Sequence, residues 1–267
     1  MKSDIDAIMQ AGNLDALVVF GNAEHNPPMY YFTGGGHVSH AMLIKKRGEE
    51  AVLFHGDMER DEAAKSGLKC IPYSKYDYDE LLERANKDGS LANAMRMELM
   101  LKDCGVTAGR VGVYGIYDVG AVFGLLTATQ KLMPAIEFVG ERREGSIFMK
   151  AMESKDEGEV ERIRRMGMIT TEVVGLVRDY LTSCDVREDE VLLKVDGTPL
   201  TVGDVHLKIR LWIAERGAEL PSGFIFAIGR DAGVPHSSGN PSDLIQLGKT
   251  IVFDLYPAEA GGGYYYD

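Results

Sequence analysis

The feature that most constrains this chain is a carboxylate set inside an apolar run near its end, Ile251-Val252-Phe253-Asp254-Leu255. Withdrawing a carboxylate from water is costly unless it is paired, hydrogen-bonded or bound to a cation. The run Thr250–Leu255 reads as a strand, and so does an earlier run, Phe224–Ile228, which opens into a Gly-Arg-Asp loop and then Pro235-His236. Thirteen positions beyond Asp254, after a Gly-rich turn, Tyr264-Tyr265-Tyr266 lead to a second carboxylate, Asp267. Two strands joined by a Gly-containing loop predict a hairpin-like pair, which can set both carboxylates at one place in a sheet. Oxygen donors in that arrangement suit a divalent metal.

Three segments carry a family resemblance: the string from Ala227 through Pro235-His236-Ser237, the Ile-Val-Phe-Asp-Leu-Tyr-Pro segment, and the Gly-Gly-Tyr-Tyr-Tyr-Asp end. Together they resemble the creatinase/aminopeptidase P/prolidase metallopeptidases. The resemblance implies a pita-bread fold, a curved antiparallel sheet covered by helices. It also implies that Asp254 and Asp267 are the two aspartate ligands of a dinuclear site for divalent ions of the Mn, Co or Zn type. By the same resemblance His236 is a catalytic group that contacts substrate or transition state. The implied reaction is hydrolysis of an amide bond next to proline in a peptide substrate, of the aminopeptidase or dipeptidase type, by a homodimer.

The sequence departs from the family after Asp267, because the Thr-Arg-Thr that usually follows and the downstream His and two Glu ligands are not in it. The expectation is that these 267 residues by themselves bind metal weakly and have negligible peptidase activity, the natural protein being longer or completed by another chain. Two other readings stay open. The same scaffold can run a creatinase-like small-molecule hydrolysis or lyase reaction, or it can serve as a non-catalytic module that binds a peptide or protein. Glu259, the nearby carboxylate in a Gly- and Ala-rich turn, is assigned no role as a base.

A formal charge of −12 argues against a nucleic-acid surface, which needs clustered Lys and Arg. The three cysteines, Cys70, Cys104 and Cys184, are widely spaced and form no CxxC, so neither a zinc knuckle nor a disulfide framework is suggested. The first twenty residues have no signal-peptide pattern, and no stretch approaches membrane-spanning length. These features point to a cytoplasmic protein without membrane contact.

Read in order, the chain is α/β (α+β), with an N-terminal creatinase-like α/β domain over residues 1–148 and the first part of a pita-bread domain over 149–267. In the first domain, strands are predicted at Leu17–Phe20, Val38–Lys45, Glu50–Phe54, Lys69–Pro72 and Val111–Tyr114. Helices are predicted at Asp4–Ala11, Asp57–Lys65, Leu91–Asp103 and Val119–Lys131. Asn26-Pro27-Pro28 reads as a break. His37 and His40, after the triple glycine, have a spacing that could bind metal on a helix, but in a turn and strand it points the rings to opposite faces; Tyr30–His40 reads as a loop near the substrate entrance or as a plain strand–turn–strand connection, and Met95, Met97 and Met100 as helix packing. In the second domain a helix capped at Ser154 runs to about Leu181 and another begins at Thr201, with a turn at Asp196-Gly197 between them.

Overall fold

The computed structural model describes residues 4–142 and 144–267. The chain divides into two compact units, the first ending at Asp156 and the second spanning Glu157–Asp267. The division lies beyond the sequence-predicted boundary at 148/149, which falls inside a short helix, Ile147–Ala151. Ile147, Phe148 and Ala151 of that helix pack into the first unit's core.

In the first unit the elements run α1 (Ile5–Ala11), β1 (Ala16–Gly21), α2 (Pro27–Thr33), β2 (Ala41–Lys46), β3 (Val52–His55), α3 (Arg60–Ala64) and β4 (Lys69–Pro72). They continue as α4 (Tyr78–Arg84), α5 (Gly89–Asp103), β5 (Gly109–Gly115), α6 (Val119–Leu132), β6 (Ile136–Val139) and α7 (Ile147–Ala151). The strands form one six-stranded mixed sheet in the order β4-β3-β2-β1-β5-β6. Strand β1 lies antiparallel to β2 and parallel to β5. Its apolar run is continuous because both faces of the sheet are covered. Leu17 and Val19 enter a core with Met9, Met29 and Phe148, while Ala16, Val18 and Phe20 enter another with Phe54, Met97 and Met100. The methionines of α5 are thus packing groups, as the sequence suggests.

The helices begin where short polar side chains can cap them. Asp88 accepts from the Ser90 and Leu91 amides ahead of α5, and Asp118 accepts from the Ala121 amide ahead of α6. Asn26-Pro27-Pro28 differs from its sequence reading. The prolines sit in the first turn of α2, where the missing N–H costs nothing, and Gly34 closes that helix in the left-handed conformation. Helices α4 and α7 and strand β6 are short elements between the longer ones.

The second unit contains α8 (Glu157–Thr182), β7 (Asp185–Val186), β8 (Leu192–Leu193), α9 (Val202–Glu215), β9 (Ala218–Glu219), β10 (Ile225–Ile228), β11 (Ile251–Asp254) and β12 (Ala258–Glu259). Thr201 and Asp204 make a reciprocal capping box at the start of α9. Val205, Ile209 and Ile213 of α9 join Met166, Val173 and Val177 of α8, with Phe226 and Leu255, in one core. The unit's antiparallel strands pair in two-stranded ladders, β10-β11, β12-β9 and β7-β8, with isolated antiparallel bridges at Val191–Gln246, Thr201–Leu244 and Ala258–Tyr265. Among the described residues no helix is long and apolar enough to cross a membrane.

Two expectations follow from the first unit. A Cβ on Gly115, which has φ of 112°, would fall 2.0 Å from the Phe20 carbonyl oxygen. Gly115→Ala should therefore part the β1–β5 ladder at this end and cost at least about 1–3 kcal/mol, read as a lower urea midpoint. At Asp103, hydrogen bonds from the Lys75 ammonium (2.5 Å) and the Tyr76 hydroxyl (2.7 Å) hold the carboxyl below its ordinary value of 3.8. A depressed folded value contributes stability that is present above the unfolded pKa and is lost as pH falls through the folded one. Asp103→Asn should lower the urea midpoint at neutral pH, and the gap should close in acid below about 3.8.

Candidate functional site

The two apolar runs pair antiparallel as expected, with Ile225 opposite Asp254 and Phe226 opposite Phe253. Side chains alternate across a strand, so residues opposite one another share a face. Phe226 and Phe253 pack edge to face at 5.5 Å on the core side. Asp254 lies on the other face with Val252, Ile225 and Ala227. The strand end therefore holds the carboxylate half out of water instead of burying it.

The loop after β10 brings His236 toward this face. It turns at Gly229, makes a short 3-10 turn at Asp231–Gly233 and reaches Pro235-His236, where His236 is exposed with φ of 61°. Gly239 then passes so close to β10 that a Cβ there would lie 2.7 Å from the Phe226 carbonyl oxygen and 3.0 Å from the Ala227 Cα. Glycine is needed at that approach, which anchors the segment carrying His236.

Asp267 arrives by another route. The segment Tyr264-Tyr265-Tyr266 is no extended strand: it meets the ladders through an isolated bridge from Tyr265 to Ala258. It is a strap pinned to α8 by side chains. The Tyr264 hydroxyl donates to the buried Glu159, the Tyr264 amide donates to Glu259 Oε2 at 3.0 Å, and the Tyr266 ring packs where Gly167 leaves room. Arg162 grips Glu259 with two parallel hydrogen bonds of 3.0 and 2.7 Å and lies over the Tyr264 ring. Glu259 is therefore engaged in holding the strap to α8. Arg162 and Glu159 lie among the charged residues that open α8, and nothing local in the sequence marks their partners about a hundred residues away.

At the end of these routes the carboxyls of Asp254 and Asp267 share a hydrogen bond, with His236 close enough to act on Asp254 electrostatically. Burial pushes the Asp254 carboxyl above its ordinary value, the charge of Asp267 and the hydrogen bond to it add to the shift, and His236 opposes it. Of the three sequence-predicted residues, the structure sets Asp254 against Asp267, with His236 within electrostatic reach of Asp254. Two carboxylates forced into contact are a poor arrangement in isolation and a fitting one for an oxygen-seeking cation. Among the described residues no group of three or more His, Cys, Asp or Glu converges in this way, so the donors present amount to this pair. His37 and His40 are in the first unit, where His37 is exposed and 3.4 Å from Glu24.

No family model matches the chain, and no curated protein matches it in sequence. Solved structures do resemble it. The prolidase from Pyrococcus furiosus superposes with a TM-score of 0.63 at 17% identity, covering 97% of this chain and 66% of its own. The proline aminopeptidase P II from Yersinia pestis gives 0.65 at 13% identity, covering 99% and 60%. The X-Pro aminopeptidase from Thermotoga maritima gives 0.60 at 14%, covering 97% and 61%. These likenesses establish the fold: a creatinase-type α/β unit followed by part of a pita-bread unit. The chain spans about three fifths to two thirds of the length of these structures.

The contact between the two aspartates has a measurable consequence. Because the folded pKa of Asp254 lies above the unfolded one, the native state loses stability as pH rises through it. In metal-free protein at pH 7, Asp254→Asn should melt at a higher temperature than the parent, and the difference should shrink below about pH 3.8, where both states are protonated. An equal or lower midpoint at pH 7 would show that the carboxylates do not repel.

Proposed function

We propose that this chain carries part of the site of a metal-dependent peptidase that hydrolyses amide bonds next to proline. The observation that carries the reading is the pairing of Asp254 with Asp267 at the end of the β10–β11 hairpin, with His236 within electrostatic reach, in a fold shared with prolidase and X-Pro aminopeptidase structures. Asp254 and Asp267 are the residues that would hold the ions, of the Mn, Co or Zn type. Bound there, divalent ions would supply Lewis-acid polarisation of the scissile carbonyl and acidify the attacking water.

The chain's own groups have distinct tasks in this reading. The Asp254–Asp267 pair gathers negative charge at one point and so selects a cation. His236, exposed on its loop beside the pair, presents an imidazole that orients or polarises the substrate carbonyl or exchanges a proton with it. The apolar side chains of Ile225 and the exposed Val252, on the same face as Asp254, offer contact for a substrate side chain. A proline-containing peptide as substrate, a homodimeric assembly and a cytoplasmic setting belong to the same proposal.

The test has two arms. In the first, Mn2+ should raise the thermal midpoint of this chain relative to EDTA, because a ligand that binds the native state stabilises it by mass action. Asp254→Asn should abolish that rise, and an unchanged metal response in the variant would defeat the assignment of the aspartates. The second arm uses the natural protein in which the chain occurs. It should cleave Xaa-Pro peptides in a chelator-sensitive way, and His236→Ala should lower kcat about 100-fold with metal content unchanged. Loss of metal with unchanged turnover per bound ion would make His236 a ligand or a structural group. Peptide binding without cleavage would favour the non-catalytic module.

A further inference from the structure

The first unit contains a cavity of about 450 Å³ between α5, α6 and the sheet. Its position follows from the strand order. Strands β1 and β5 are adjacent and parallel, yet the chain leaves β1 through α2 toward β2 on one side and leaves β5 through α6 toward β6 on the other. The crevice beyond the carboxyl ends of two strands whose connections diverge is where open α/β sheets receive ligands. Phe20 at the end of β1 and Tyr117 just beyond β5 both line the cavity.

Most of the wall is apolar or aromatic, including Phe20, Met97 and Leu125, and no acidic side chain and no lysine lines it. Arg96 and Asn93 of α5 and His40, ahead of β2, supply the polar part of the lining, and Arg96 is its one always-charged group. Its guanidinium lies over the rings of Tyr73 and Tyr78, at 4.9 and 5.1 Å from their centroids, and one nitrogen donates to Asn93 Oδ1 at 2.9 Å. Arg96 makes no ion pair among the described residues. Tyr73 donates its hydroxyl to the His40 carbonyl oxygen at 2.9 Å, and burial pushes its pKa well up, so it offers no negative charge. An always-charged fork of five donors, held flat by aromatic rings and using one of its nitrogens on a neutral amide, is arranged for a planar acceptor.

We propose that this cavity binds a small monocarboxylate with an apolar body, its carboxylate on the Arg96 guanidinium and its body against the Phe20, Met97 and Leu125 walls. A guanidinium matches a carboxylate with two parallel hydrogen bonds. One permanent cation, with His40 and Asn93 as the remaining polar lining and an otherwise apolar wall, suits one negative charge and leaves a doubly charged phosphate under-compensated. The volume falls in the range of small-molecule sites. The site belongs to the first unit alone and does not depend on the peptidase reading.

Calorimetric titration of the full chain with 3-phenylpropionate, with its primary amide and with inorganic phosphate tests the proposal. The acid should bind saturably, the amide about tenfold or more weakly, and phosphate should not compete. Arg96→Gln should remove the preference for the acid, and Leu125→Trp, which fills the cavity, should block acid and amide together, with the far-ultraviolet dichroism of both variants unchanged. Should Arg96→Gln fail to fold, the acid-to-amide ratio and the Leu125→Trp variant decide the matter. The proposal is overturned if acid and amide bind alike, if phosphate displaces the acid, if Arg96→Gln or Leu125→Trp retains full affinity for the acid, or if the acid shows no saturable binding.

Discussion

The second unit is organised around a contact that two free groups would avoid, the carboxyl of Asp254 against that of Asp267. Neither the hairpin nor the terminal segment produces it alone. The hairpin fixes Asp254 because Phe226 and Phe253 are committed to the core, which leaves the next residue on the open face. The strap fixes Asp267 because Tyr264 and Tyr266 are tied to α8 through Glu159, Glu259 with Arg162, and the gap at Gly167. A charge-assisted, two-pronged Arg–carboxylate pair is among the stronger polar contacts available, on the order of 1.5–3 kcal/mol per hydrogen bond to a charged group before screening. With the Arg162 side chain 37% exposed, solvent screening reduces that figure. The network still opposes the mutual repulsion of the carboxylates and keeps them together.

Much of this was legible in the sequence, for local reasons. Strands β10 and β11 announce themselves as short apolar runs, and an aspartate in such a run demands an explanation wherever it occurs. The helices α5, α6 and α9 carry their caps in the sequence, as Asp88, Asp118 and Thr201. The misreadings share a cause, which is that the deciding partner lies far along the chain. Tyr264–Tyr266 has the composition of a strand, yet side-chain contacts to residues nearly a hundred positions earlier settle its course. Pro27-Pro28 reads as a break until Met29, Tyr31 and Phe32 are seen to be buried, which makes the same prolines the first turn of a helix. Asp254 and Asp267 could be named from the pattern, but their direct contact depends on the strap and not on strand pairing.

The two units solve the problem of covering a sheet differently. In the first, a single strand, β1, has both faces buried, and its neighbours extend the sheet to six strands. In the second, each ladder has only two strands, too few to be stable alone, and α8 and α9 supply the apolar surface that keeps them folded. The contrast bears on where chemistry can be placed. A doubly covered sheet offers its strand ends, and there the Arg96 cavity sits. A half-covered ladder offers an open face, and there Asp254 sits.

Backbone geometry at His236 adds to the case only in combination. Positive φ in a non-glycine residue costs on the order of 1–2 kcal/mol, and it occurs here at His25 and His40 as well as His236. Histidine is enriched in that region of backbone space, so the conformation by itself marks nothing. What separates His236 is its surroundings. Gly239 is pressed against β10, so the loop cannot easily relax, and the imidazole is left near a carboxylate pair whose charge it offsets. His40, by contrast, has its ring 6.2 Å from Tyr117, with no carboxylate pair beside it among its described contacts. Strain points to function where the strained residue and a perturbed charge coincide, and within the second unit they coincide at the end of the β10–β11 hairpin.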